Sequence, residues 1–347
     1  MNEIAAFCKE LKKKFQPEAT SLQRPVRCWS EKDLFQGSLV DAFVIILRTQ
    51  GCSWARRSGC SMCGYFNDSA WKHVSDNKML LQFQTAMQQF NGEKMVKLFT
   101  SGSFLDEKEI SDTVQKKILS DLAKTTAKIS IESRPEYITA SSLASIKSIV
   151  GNTAFEIGIG LETANDIIRN TIINKGFTFQ DYRRAASLLK KHKFKLKTYV
   201  LIKPPFLTEQ AAINDSINTV QKIKTMTDTI SFNPTNVQKN TLVDYLWRRK
   251  YYRPPWLWSI VEILQQSKKE THARLKCDIA GGGMRRGAHN CKNCDSTILS
   301  EINEFSLTQD SSKFHDQECS CKQTWHDQLE LEYLTFGSFV DFNKENV

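Results

Sequence analysis

Short apolar, β-branched runs recur along this chain, separated by stretches whose apolar positions fall at helical spacing. The strand-like runs are 41–48 (DAFVIILR), 95–100 (MVKLFT), 127–132 (AKISIE), 154–161 (AFEIGIGL), 195–202 (KLKTYVLI) and 228–232 (DTISF). Helical patterns lie between them, near 79–90, 107–124, 139–149, 178–192 and 208–226. In the last of these, Thr208 suits an N-cap, and Ala211, Ala212, Ile217, Val220 and Ile223 supply an apolar stripe. Strand then helix, repeated, predicts an α/β fold with a parallel sheet covered by helices. Six such units predict a partial (β/α)6 barrel rather than a closed eight-stranded one. Chemistry is then expected on loops at the carboxyl ends of the strands.

The remainder of the 347 residues frames this unit. Residues 1–38 read as a lead-in, with one basic helix and then irregular chain containing Pro and Trp. Residues 39–236 read as the barrel. Residues 237–347 read as a small C-terminal cysteine-rich extension, holding the stretch YYRPPWLW (251–258), a following helix and a Gly281-Gly282-Gly283 loop. Stacking of RNA bases on Trp256 and Trp258 is one use of that stretch; burial against the barrel is the expected one. The longest aliphatic runs are of strand length, so no membrane span is expected. The first residues interleave acids and lysines and do not read as a secretory signal. Ten cysteines in such a chain predict metal ligation rather than a disulfide framework, with the cytoplasm as the default location.

Charge is placed unevenly. The net charge is +10, yet residues 299–347 carry ten acids against three lysines, so the preceding part is strongly basic. Basic clusters recur at Lys12-Lys13-Lys14, Arg56-Arg57, Arg183-Arg184, Lys190-Lys191, Arg248-Arg249-Lys250, Lys268-Lys269 and Arg285-Arg286. Most of these are ordinary solvated helix faces, but a body this basic suits a polyanionic partner.

Directly after the most apolar strand stand Cys52, Cys60 and Cys63. Three thiolates can hold three irons of a [4Fe–4S] cluster and leave the fourth open to a chelate such as S-adenosylmethionine (SAM). The alternatives are zinc, with His73 as the nearby fourth ligand, or buried thiols without a metal. The position at a strand's carboxyl end favours a catalytic cluster. Other strand ends carry matching chemistry. Ser101, Gly102 and Ser103 form a small-residue turn after the second strand, able to hold an ammonium group or to act as a helix cap. Glu132 and Arg134 follow the third strand, and Glu162 ends the fourth. Carboxylates there can bind ribose hydroxyls or a cation, and Arg134 can grip a carboxylate.

A second cysteine set, Cys291, Cys294, Cys319 and Cys321, can close a tetrahedral structural zinc site. Its rivals are a second iron–sulfur cluster that recruits Cys277, and free thiols.

The cysteine loop, TSGSFLDE (100–107), ESRPEYIT (132–139), GIGLET (158–163) and YVLIKPPFLTE (199–209) together resemble the radical-SAM enzymes related to the elongator catalytic subunit. NPTNVQKNTLVDYLW (233–247), RPPWLWSIVEIL (253–264) and RRGAHNCKNCD (285–295) extend the resemblance, most closely to the radical-SAM proteins of archaeosine biosynthesis. It covers about residues 40 to 325. It implies a [4Fe–4S] cluster on Cys52, Cys60 and Cys63, with SAM held partly by the Ser101, Gly102 and Ser103 turn; Glu132 and Glu162, at strand ends facing the mouth, are the further candidates to bind SAM. It implies a tRNA substrate on which a partner enzyme has joined lysine, through its side-chain amine, to a 7-deazaguanine base. The radical enzyme, fed by an electron donor, then cleaves the lysine carbon–nitrogen bond. Glu132, Arg134, Glu162, Lys203 and Asn233, as strand-end groups facing the mouth, are the candidates for positioning the reacting carbon. Two features depart from the common pattern: the spacing C-x7-C-x2-C, and Ser-Gly-Ser where Gly-Gly-Glu is usual. About 110 residues follow the sixth strand, fewer than the elongator acetyltransferase domain needs. Another radical-SAM reaction on tRNA, or a non-catalytic zinc-containing RNA-binding protein, are the alternative readings.

Overall fold

The sheet begins one strand earlier than the apolar pattern predicts. In this computed structural model, which describes residues 3–13, 15, 21–315 and 318–335, part of the lead-in expected to be irregular forms β1 (Arg27–Phe35). It runs antiparallel to β2 (Ser38–Ile46) through a two-residue turn at Gln36 and Gly37. Both turn residues have positive φ, 51° and 78°, the geometry that matches the twist of a tight hairpin. The six apolar runs then form β2 to β7: β3 (Met95–Phe99), β4 (Lys128–Glu132), β5 (Ala154–Glu162), β6 (Lys195–Ile202) and β7 (Thr229–Pro234). A short β8 (Arg274–Cys277) follows, and all neighbours from β2 to β8 pair in parallel, in sequence order. The six-unit partial barrel is thus present, widened by one strand at each edge. Lys14 of the first basic cluster and residues 336–347 of the acidic segment lie outside the described residues.

Helix α1 (Glu3–Lys13) precedes the sheet, and the five-residue α2 (Ser53–Arg57) lies in the cysteine loop. The outer face of the sheet is covered by α3 (Asp76–Met87), α4 (Asp112–Thr125), α5 (Ala140–Val150), α6 (Phe179–Lys191) and α7 (Glu209–Ile223). These match the five helical patterns, and Thr208 caps α7 as expected, accepting from the Ala211 N–H at 3.2 Å. The period of two sorts each strand's residues. Ile129, Ile131, Ile157 and Ile159 turn outward and are fully buried with Leu119, Leu122, Leu143 and Tyr182. Beyond the sheet come α8 (Leu242–Arg248), α9 (Leu257–Glu270), α10 (Asp295–Thr308) and α11 (Cys321–Thr335). Trp256 and Trp258, at the start of α9, are buried. Among the described residues no helix is long and apolar enough to cross a membrane.

The alternate residues face the barrel lumen, and several of them are charged. Lys97 on β3 pairs with Glu31 at 2.6 Å and with Asp33, both on β1. Arg274 on β8 reaches the same Asp33 at 2.6 Å, so side chains join the two edge strands. Glu156 on β5 is held by Lys128 at 2.7 Å and Lys197 at 2.8 Å. Burial alone would raise both carboxyls, but these cations hold Asp33 and Glu156 well below the usual carboxylate range.

Removing one member leaves the others charged and buried. Lys97→Met should therefore cost about 3 kcal/mol of unfolding free energy, measured by urea titration, and the added change Asp33→Asn should recover part of it. A cost below about 1 kcal/mol would show that Arg274 and Lys276 satisfy Asp33 without Lys97.

Candidate active site and metal centre

The loop after β2 is held by interlocking with two other strand-end loops. Gly51, with φ of 95°, turns the chain, and a Cβ there would meet Ser69 Oγ at 2.8 Å. Cys52 then stands at the N-terminus of α2. Trp54 Nε1 donates to the Asn174 carbonyl at 2.7 Å, and Asn174 Nδ2 donates back to Ser58 Oγ and to the Gly59 carbonyl. Gly176 lies so close to the Trp54 ring that a Cβ would approach it to 2.5 Å. Arg134, after β4, has its guanidinium over both Trp54 and Phe177 and donates to the Lys175 carbonyl at 2.9 Å. The lead-in also takes part: Lys12 of α1 donates to the Ser58 carbonyl at 2.9 Å.

Cys52, Cys60 and Cys63 thereby face one region, where they act on one another. Burial pushes the Cys63 thiol up to about 12, and Cys60 and Cys52 push it the same way. Burial also raises Cys52, with Glu109 the next cause. A bound cation or iron cluster would reverse the rise at Cys52 and Cys63, since a coordinating thiol is deprotonated outright. The three thiols do not converge on a single ion. Among the described residues the ligand atoms of Cys52, Cys60 and Cys63 do not all come within 4.8 Å, with or without His73, which a tetrahedral zinc would require. Three thiols without a fourth converging protein ligand are a donor set that suits a polynuclear cluster. Arg134 Nη2 is buried without a hydrogen-bond partner, on a guanidinium that feels the charges of Cys52 and Cys60. That orphaned donor suits an anionic group above the thiols.

The turn after β3 touches this loop directly. A Cβ at Gly102 would lie 2.7 Å from Cys52 Cα and would strike the Glu109 carboxylate, so glycine is required for the approach. Ser103 is committed to structure, its Oγ accepting from Arg134 N at 3.1 Å and its N–H donating to Glu109 at 2.7 Å. Glu109, which also accepts from Thr49 Oγ1 at 2.6 Å, is raised by burial to about 7. It brings to the Ser-Gly-Ser turn the carboxylate that a Gly-Gly-Glu motif would carry. Its place was hidden in an acidic stretch, DEKE (106–109), that reads as a helix start.

Higher in the lumen, Glu132 meets the Tyr199 hydroxyl, and Gly158 makes room for that ring, a Cβ there falling 2.8 Å from Cε2. Burial raises the Glu132 carboxyl. The β5 register shifts between Gly160 and Glu162, and Glu162 has φ of 67°. This turns its carboxylate to Lys175 Nζ at 2.5 Å, beside a second lumen glycine, Gly160. Lys203, with φ of 57°, is buried and paired with Glu209. Asn233 on β7 is half-buried, opposite Leu201 of β6, and has no side-chain hydrogen bond among the described residues. Glu132, Arg134, Glu162 and the cysteine loop are therefore joined by contacts, whereas Lys203 belongs to a separate network under α9.

The C-terminal cysteines form a different arrangement. Sγ–Sγ separations are 3.9 Å for Cys291–Cys294, 3.6 Å for Cys291–Cys319 and 3.6 Å for Cys294–Cys321, and all four sulfurs lie within 4.8 Å. Zinc–sulfur bonds of about 2.3 Å in a tetrahedron give edges of about 3.8 Å, so the set fits one zinc-sized ion and is too tight for a second cluster. Cys277 lies in the hydrophobic core and is no member of the group, and neither is His289. Burial opposes the Cys291 thiolate, but the backbone N–H groups of Cys294 and Asn293 hold its thiol down at about 7. Trp258 Nε1 and Asn290 Nδ2 donate to Cys321 and Cys294 sulfurs at 3.3 and 3.4 Å.

Relatives carry the same architecture. Archaeosine synthase subunit beta of Methanosarcina acetivorans is 40% identical over 334 residues, spanning 95% of this chain and 96% of that one. The subunit of the same name from Thermococcus kodakarensis is 37% identical over 322 residues, spanning 90% and 98%. No family model matches the chain. A radical SAM methyltransferase from Sphaerobacter thermophilus has the same fold, with a TM-score of 0.51 at 12% identity, over 77% of this chain and 80% of that one.

The four-sulfur geometry gives a direct expectation. Anaerobically purified protein should hold one zinc per chain, and Cys291→Ser/Cys294→Ser should lose it and expose the start of α11 to protease, because metal-binding energy supports a segment with little core of its own. Zinc-free protein with an equally resistant C-terminal segment would refute the site.

Proposed function

The chain belongs to the archaeosine synthase β-subunit family, and from that membership we propose that it is the radical-SAM lyase that completes archaeosine in tRNA. The observation that carries this reading is the three-thiol loop at the carboxyl end of β2, with the orphaned Arg134 donor beside it. A [4Fe–4S] cluster bound there with SAM on its open iron would supply one electron to SAM and so a 5′-deoxyadenosyl radical. The substrate is lysine joined through its side-chain nitrogen to the amidine of a 7-deazaguanine base. Hydrogen is taken from the lysine carbon bonded to that nitrogen; the carbon radical then loses one electron to a one-electron acceptor, and water adds to the resulting iminium carbon, so that the carbon–nitrogen bond breaks into the free amidine and a lysine-derived aldehyde. The relatives' description as a subunit supports a partner enzyme that attaches the lysine, and the electron donor is a further partner.

The chain's own groups bind and orient. Cys52, Cys60 and Cys63 would ligate the cluster. Ser101 and Gly102, with Glu109 behind them, would face the SAM ammonium, and Glu132 or Glu162 its ribose hydroxyls. Arg134 Nη2 would hold a carboxylate of SAM or of the lysine. Glu162 would meet the lysine α-ammonium alongside Lys175. Lys203 keeps two N–H donors beyond its bond to Glu209, and Asn233 has a free amide, so both can position the substrate. Arg56 and Arg57 are exposed on α2, over Trp71 and Trp54, at the rim an RNA would cross.

Two measurements test the reading. With deuterium only on the lysine carbon bonded to nitrogen, turnover should carry deuterium into 5′-deoxyadenosine; archaeosine formed without that transfer would sink the abstraction site. Arg56→Ala/Arg57→Ala should weaken tRNA binding and lower the slope of log affinity against log salt by up to about 2. An unchanged slope would put the RNA on another face.

A further inference from the structure

A cavity of about 680 Å³ opens beside the cysteine loop, between the turn after Cys63 and the chain after β7. That volume lies within the range of small-ligand sites. Its walls are rich in side-chain amides, including Asn67, Asn236, Gln238 and Asn240, together with Tyr65 and Arg286. Three of the amides form a fixed frame. Asn67 Nδ2 donates to the Gly64 and Lys239 carbonyls at 2.6 and 3.0 Å, and Asn240 Nδ2 donates to Asn67 Oδ1 at 2.9 Å. Gln238 Oε1 accepts from Gly64 N. The fourth differs: Asn236 is half-buried, and its amide has no hydrogen-bond partner among the described residues. Tyr65 meets Gln238 through its hydroxyl yet is 57% exposed. Arg286 is held by Asp244 and the Val237 carbonyl and lies over Trp247, 4.6 Å from the ring centroid. Lys239 and Arg285 are exposed beside it, and Asp68 is the acid in the wall.

We infer that this cavity receives the base of the modified nucleotide, swung out of the tRNA. The inference rests on the function proposed above and names the subsite that reaction needs. The lysine carbon that loses hydrogen is separated from the base by only the amidine, so the base must lie against the cluster loop. The cavity wall includes Gly64, the residue after Cys63. A 7-deazaguanine offers an acceptor and adjacent N–H donors on its pairing edge, and a primary amide supplies the complementary acceptor and donor in one group. Asn236 is the amide free to do so. Tyr65 has an exposed ring for stacking, as enzymes that act on an extruded base require. Arg286, Lys239 and Arg285 set positive charge where the flanking phosphates would run.

The test compares two tRNAs by fluorescence anisotropy at fixed salt, one with 7-cyano-7-deazaguanine at the target position and one abasic there. Neither carries lysine, so their affinity ratio reports the base alone. The wild-type protein should favour the base-containing tRNA by about tenfold or more. Asn236→Ala and Tyr65→Leu should each bring the ratio most of the way to one, and Tyr65→Phe should restore it. Thermal melts followed by circular dichroism establish that each variant folds. A wild-type ratio near one, or a ratio unchanged in both variants, overturns the inference. Archaeosine formation from lysine-adducted tRNA by the wild-type protein is measured in parallel. Its absence overturns the functional reading and this subsite with it, whereas normal formation with an unchanged ratio overturns the subsite alone.

Discussion

The pairing of buried charge inside the barrel is the constraint from which the rest of the molecule follows. Charge taken out of water destabilises the fold unless each group meets its opposite. At the floor, Asp33 joins β1 to Lys97 of β3 and Arg274 of β8, so an open sheet has its two edges tied by side chains rather than by backbone pairing. One layer up, Glu156 sits between Lys128 and Lys197. Nearer the mouth come Glu132 with Tyr199, then Glu162 with Lys175. Gly158 and Gly160 leave the space that these pairs and a ligand need. At the mouth the pairing is incomplete: Arg134 meets Glu136 through Nε at 2.6 Å, but its Nη2, beside the thiols, is buried with no hydrogen-bond partner among the described residues.

The same division between faces explains what could be read from the chain. The outward faces of β2 to β7 pack on helices and record their burial as apolar residues at period two. The helices record theirs at helical spacing, so six strands, five helices and their order were legible. β1 was not, because its inward face carries Glu31 and Asp33 and its outward face is largely half-exposed, which leaves no apolar alternation to find. β8 has only four residues, RLKC, two of them cations that answer the β1 acids. The cysteine sets were legible from spacing, and Glu132, Arg134 and Glu162 from their places at strand ends. Glu109 and Asn174 were not. They act through contacts that reach far along the chain, Asn174 to Gly59 across 115 positions and Glu109 to Thr49 across 60, and such contacts leave no periodic trace.

A chain of contacts also links the C-terminal sulfurs to the barrel mouth. Cys321 begins α11, and Trp325, one turn on, donates to Ser259 Oγ at 2.9 Å. Ser259 donates to Glu209 Oε1 at 2.6 Å, and the other carboxylate oxygen holds Lys203. Glu332 of α11 accepts from the Glu209 N–H at 2.6 Å, and Gln328 accepts from Trp256 Nε1 at 2.8 Å. Lys203 sits in left-handed backbone, which costs energy in a lysine and persists only where the surroundings fix it. The ion that anchors α11 would therefore help fix the conformation of a residue at the mouth, although it lies outside the lumen.

Seven cysteines fall into two arrangements that differ in spacing and surroundings. The C-terminal four stand at tetrahedral-edge separations, two of them at helix starts, with Trp258 and Asn290 donating to the sulfurs. Every position about a single ion is then filled by protein, which gives a closed site suited to structure. The N-terminal three are held further apart by a loop whose walls come from β4 and β5, and no fourth protein ligand converges with them. A polynuclear cluster on those three thiols would leave one metal without a protein ligand, beside Arg134 Nη2, which has no hydrogen-bond partner among the described residues. The fold thus holds four sulfurs at the spacing of one ion and keeps the other three out of such a group.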